Sequence, residues 1–155
     1  VSFTNSNDYI TGRKPVVYPA GAEIVAVRFP LAVLAADLAL NNAGQIGILP
    51  AGCIPVDVQV DGTDVDTGAA AMVLQVGILN AAGTDLSTDA ADGGKNWGST
   101  VAANTDFQQR LTFNGNALAN VQPSAVDRRI GLKVSTAPTA AAAGTLGVTV
   151  FYRAA

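Results

Sequence analysis

The chain has 155 residues, 49% of them hydrophobic and only 14% charged, with a net charge of -3. That length suits one ordinary domain with a sizeable core, and the apolar content excludes a disordered chain. The longest cationic runs are Arg13-Lys14 and Arg128-Arg129, too short for a phosphate-binding stripe, and no apolar run reaches the ~18 residues of a membrane span. Neither nucleic acid nor a membrane is therefore expected as a partner. So few charges predict that part of the surface is covered by something else.

Residues 1–20 form the first unit. They show no sustained period and carry Pro15 and Pro19, which fix φ and remove donors, so an extended N-terminal arm is expected. Phe3, Tyr9 and Ile10 are apolar groups within it. An arm with such groups must lie on its own domain, a sister subunit or a partner; they are expected to anchor it on a neighbouring subunit or other partner, so that its removal would leave the rest folded. The chain starts at Val1 with no apolar leader, for which removal of an initiator methionine is the simplest expectation.

Residues 21–155 carry the strand signals. Glu23 to Leu34 alternates in face and meets Pro30, which predicts an edge strand or a bend. The following Ala/Leu stretch suits either a helix or a strand running into a turn at Asn41-Asn42-Ala43-Gly44; the latter is favoured. Gln45–Leu49 stops at the Pro50-Ala51-Gly52 turn. Val56–Val60 alternates strictly, with the valines on one face, and ends at Asp61-Gly62. Ala71–Leu79 is apolar nearly throughout, as in a strand buried on both faces. Thr84–Thr105 reads as a long Gly/Asp/Asn/Ser-rich connection holding the single tryptophan, Trp97. Phe107–Phe113 resumes a strand. Arg129–Ser135 and Thr145–Arg153 are expected to pair as a closing hairpin. About eight short strands with no clear helix predict an all-β, jelly-roll-like antiparallel β-sandwich.

The chemistry-bearing residues are sparse. There is no histidine, which removes the usual general base and zinc ligand. Cys53 stands alone, which excludes an internal disulfide and fits synthesis in a reducing cytoplasm. Set among apolar residues between two prolines, it reads as a packing residue. Asp61, Asp64 and Asp66 in DGTDVDTG resemble a calcium loop, but no glutamate follows, and Asp with Gly is ordinary turn chemistry. Asp85, Asp89 and Asp92 read the same way. Gly93-Gly94-Lys95 lacks the spacing of a phosphate loop. No catalytic residue, cofactor or metal is expected. Trp97 joins Phe3, Tyr9 and Ile10 as a candidate partner-binding residue, because an exposed tryptophan stacks on sugars or fills a pocket.

The run Ile48–Leu79, ILPAGCIPVDVQVDGTDVDTGAAAMVLQVGIL, resembles bacteriophage head-decoration (cement) proteins of the Bordetella-phage type. The shared features are the LPAG turn, the Asp-rich DVDTG turn and the buried strand ending in VGIL. The closing GTLGVTVFYR (Gly144–Arg153) is similar to the final strand of that family. The resemblance covers about half of the chain, and its motifs are structural. It implies a jelly-roll subunit that forms a small homo-oligomer (dimer or trimer) on the outside of a virion. There it would bind the major capsid protein and bridge neighbouring copies of it, with no active site. A fibre-anchoring or tail protein and a carbohydrate-binding sandwich are the alternatives.

Overall fold

The computed structural model describes residues 2–102 and 104–155. Val1, the first residue of the expected arm, and Ala103, within the expected long connection, lie outside the described residues. Described strands are β1 (Ile24–Val33), β2 (Ala43–Leu49), β3 (Cys53–Gly62), β4 (Val73–Ile78), β5 (Gly98–Val101), β6 (Phe107–Arg110), β7 (Thr112–Phe113), β8 (Arg128–Thr136) and β9 (Gly144–Ala154). They form two antiparallel sheets, ordered β1-β9-β3-β6 and β2-β8-β4-β5-β7. Two single 3₁₀ turns, Ala35–Leu38 and Ala90–Asp92, are the described helical elements.

The pairing is nested. The ends of the sandwich pair as β1 with β9; inside them β2 pairs with β8, β3 with β6, and β4 with β5. This is a long antiparallel ribbon rolled up until β9 also meets β3 and β8 also meets β4, which is the winding of a jelly roll. Period-2 sequence explains the interior. In β1, Val27, Phe29, Leu31 and Val33 point inward and are buried, while Ala26 and Arg28 point out. Leu74 and Val76 of β4, Ile130, Leu132 and Val134 of β8, and Leu146, Val148, Val150 and Tyr152 of β9 complete the core between the sheets.

Several sequence expectations change here. The last two strands are not a hairpin: β8 and β9 lie in different sheets. Residues 137–143 are long enough to cross the ~10 Å between packed sheets, and each strand finds a longer partner elsewhere. The long connection contains β5, a short Gly-Ser-Thr-Val strand whose lack of bulky residues hid it. Phe107–Phe113 is two strands in different sheets, bent at buried Leu111, whose N–H donates to Val58 O at 2.9 Å. The Val56–Val60 alternation also breaks. A register shift between Pro55 and Asp57 leaves Val56 as an extra residue, half-exposed, while Val58 and Val60 stay buried. Pro30 behaves as expected, on the edge strand β1.

Candidate interaction surfaces

The arm lies on its own sandwich. Phe3 and Tyr9 are 8% and 9% exposed and belong to the main core. Phe3 sits over Gly44, where an added Cβ would stand 2.7 Å from its ring. Tyr9 meets Phe29 edge to face at 4.9 Å between centroids. Between them Asn7 donates its side-chain amide to Pro30 O at 2.9 Å and to Ile46 O at 2.7 Å. Those carbonyls belong to β1 and β2, the adjacent edges of the two sheets, so a single side chain staples the open seam. Asp37 holds the arm's start, accepting from the Thr4 N–H at 3.0 Å and the Thr4 hydroxyl at 2.7 Å. Burial pushes the Asp37 carboxyl up, but the hydrogen bonds from Leu34 N–H and from both Thr4 donors outweigh it and hold it below the usual range.

The expectation that Phe3 and Tyr9 anchor the arm on another molecule is thus corrected for these side chains. The sandwich leaves its β1/β2 seam open, and the nearest apolar surface is the chain's own. Trp97 is corrected too: it is fully buried, donating its indole N–H to Asp92 O at 3.1 Å. Only a half-buried side chain remains from the predicted set, Ile10, lining a groove of about 260 Å³ with Gln45, Leu79 and Arg129.

The turn acids have internal duties. Asp66 is fully buried and accepts backbone N–H groups from Ala140 at 3.0 Å and from Ala71 and Met72 at 3.3 Å. Burial raises its carboxyl, yet these bonds keep it below the ordinary range. It ties two loops of one end together. Asp85 bonds Lys133 at 2.7 Å, Asp92 bonds Arg128 at 3.0 Å, and Asp89 caps the second 3₁₀ turn through Ala91 N–H. Among the described residues, no three acid, Cys or His side chains cluster as metal ligands. Cys53 is buried, and burial followed by the nearby Asp127 charge raises its thiol above the ordinary value, as suits a packing residue.

These acid pairs make the two outer faces unequal. The connection after β4 folds back over the β2-β8-β4-β5-β7 sheet. There, Leu79 and Leu86 rest on Gly131, and Arg129 donates to Asn80 O and Ala81 O at 2.8 and 2.9 Å. Among the described residues, no such connection covers the β1-β9-β3-β6 sheet. Its outer face presents Arg28 bonded to Asp61 and Arg110 bonded to Asp57, both 2.9 Å through Nε. A groove of about 350 Å³ lies at its foot, lined by Ile54, Val56, Phe113, Leu118 and Arg153. At the same foot Val17, Tyr18, Ile24 and Val126 are exposed, with the Tyr18 hydroxyl on Asp127 at 3.0 Å. This sheet face and its edge offer room for a partner. Sequence reading missed Asn7, Asp37 and Asp127: one polar residue in a turn carries no one-dimensional mark of what it will bridge.

No protein-family model and no curated protein sequence matches the chain. Solved structures do. A chain of the capsid of Ralstonia phage GP4 superimposes with a TM-score of 0.76 at 26% identity, covering 97% of each chain. A chain of the cyanophage Pam1 capsid asymmetric unit gives 0.53 at 19% identity, covering 98% of each. Both neighbours come from phage capsids. The second, at its lower identity, shares the fold alone.

Proposed function

We propose that the chain is a structural virion protein of a tailed bacteriophage that attaches to the outside of the capsid and bridges its major capsid protein subunits. The observation that carries this reading is the full-length likeness to a chain of the Ralstonia phage GP4 capsid. Physical features support it. The surface is poor in charge, the acids are spent on loops and ion pairs, and one sheet face is open. A clip of this kind works by buried area repeated at many equivalent joints. A standard-sized patch buries roughly 1,600 Å², and a few kcal/mol at each joint slows rupture of the whole shell. The burial of Trp97 removes the tryptophan on which a sugar-binding reading leaned.

The test uses phage heads assembled without this protein. Purified chain should bind them in saturable fashion and raise the temperature at which they release DNA. Heads that neither bind the chain nor change in stability would overturn the reading.

A further inference from the structure

We propose that Asn114-Gly115 is a self-modifying site: the Asn114 amide is lost through a cyclic imide, leaving aspartyl and isoaspartyl forms with a new carboxylate beside Lys95. The proposal is independent of the capsid reading.

Ring closure at an asparagine is favoured by a following residue with no Cβ to block the approach, by a free backbone N–H on that residue, and by a side-chain amide not locked elsewhere. Asn114 is the single asparagine of the chain followed by glycine. The pair sits just after β7, in a turn closed by the Ala117 N–H on Asn114 O at 3.3 Å. Gly115 is the second residue of that turn, with φ of 59°, a conformation that favours glycine. It is exposed to water. Among the described residues its N–H has no hydrogen-bond acceptor, so no bond must break before that nitrogen reacts.

The amide itself is loosely held. Among the described residues, Asn114 donates its side-chain amide only to Asn96 Oδ1, at 3.4 Å, beyond the usual range for such a bond. Asn7 and Asn42 instead donate to backbone carbonyls at 2.7 Å, and Asp8 and Ala43 after them carry a Cβ. The backbone of Asn114 is fixed, its N–H donating to Trp97 O at 2.9 Å. A held backbone with a free amide keeps the reacting atoms of neighbouring residues close, as a unimolecular step requires.

The chemistry needs only water. The Gly115 nitrogen gives its proton to hydroxide and attacks Cγ of Asn114. The N–Cγ bond forms, the bond from Cγ to the amide nitrogen breaks, and ammonia leaves with a proton from water. Water then opens the imide. Opening at Cγ gives aspartate; opening at the backbone carbonyl gives isoaspartate, whose main chain runs through the β-carbon. Lys95 Nζ lies 3.4 Å from where a Cβ on Gly115 would stand, so the new carboxylate meets a cation. The turn also lines the groove of Ile54, Val56, Phe113 and Leu118, whose lip changes from neutral to negative.

The experiment holds the folded full chain at mildly alkaline pH and maps its peptides by mass spectrometry over time. The peptide carrying Asn114 should gain the mass of an acid in place of an amide before any other asparagine does. Its isoaspartyl form, separated by chromatography, should exceed the aspartyl one, and the rate should rise with pH. Gly115→Ala should slow the change several-fold. Asn114→Gln, which would have to close a larger ring, should show no gain over the same time. It covers the case in which the alanine variant, strained at positive φ, does not fold. An Asn114 amide that persists in the folded chain as long as the other asparagines, or is lost only after unfolding in urea, overturns the proposal. So does a gain of acid with no isoaspartyl form, since direct hydrolysis bypasses the imide.

Discussion

The sandwich has two seams, and they are closed in different ways. At one, β6 runs on into β7 through Leu111, so a continuous backbone turns the corner from sheet to sheet. A hydrogen bond from the Thr100 hydroxyl to Gln109 at 2.6 Å crosses the same corner. At the other, β1 and β2 touch little, and the arm fills the gap with Phe3, Tyr9 and the bridging amide of Asn7. A covalent corner cannot open without unfolding both sheets. A docked arm can leave while the sheets persist, because only its own burial and hydrogen bonds hold it. The difference teaches where this fold yields first.

The largest expected effect lies at the covalent corner. Leu111→Ala removes a buried side chain from the point where both sheets meet and should cost about 3 kcal/mol in urea unfolding. Amide exchange should quicken in strands of both sheets together. Exchange confined to β6 and β7 would mean that this seam is also a local latch.

Removing residues 1–12 should do less and do it locally. The lost burial of Phe3 and Tyr9, about 1.5–3 kcal/mol each, is offset by chain entropy regained, for a net cost of about 2 kcal/mol. The truncated protein should still fold, with faster exchange in β1 and β2 and unchanged exchange in β6 and β7. Unaltered stability would reduce the arm to a loose terminus. Equal loss in all strands would erase the contrast between the seams.

Acid should loosen the arm seam by a smaller amount. The folded pKa of Asp37 lies below its ordinary value, so its contribution is complete above the unfolded aspartate pKa of about 3.9 and is lost as pH falls through the lowered folded value. Once pH falls below that lowered value, Thr4 and Leu34 lose a charged acceptor, at a cost of about 1 kcal/mol. Exchange at the Thr4 amide, compared with Asp37→Asn over the same pH range, checks this. An identical pH dependence in the variant would assign the effect to other acids, Asp66 first among them.

What the primary structure offered about this region was an extended arm carrying three apolar anchors, Phe3, Tyr9 and Ile10. Prolines and missing periodicity marked residues 1–20 as non-strand, and the described residues among them contain no strand. What one dimension could not supply was the surface opposite Phe3 and Tyr9, since the seam they fill exists only after β1 and β2 have joined different sheets. The same reason hid the roles of Asn7 and Asp37. Trp97 reads as exposed because small polar residues surround it along the chain, yet the fold lays that connection back over a sheet and encloses the indole.

By itself the sequence determined the all-β class, the alternating faces of β1, the edge marked by Pro30 and the packing role of Cys53. Each follows from local rules: period 2, the missing N–H of proline, and the apolar neighbours of a lone thiol. Only the tertiary structure decided which strands pair, that β8 and β9 face each other across the core, that Leu111 turns a corner, and that the arm closes its own seam. Strand partners are chosen by burial and ladder hydrogen bonds between residues far apart along the chain. An alternating stretch states which face it will bury, but not against what.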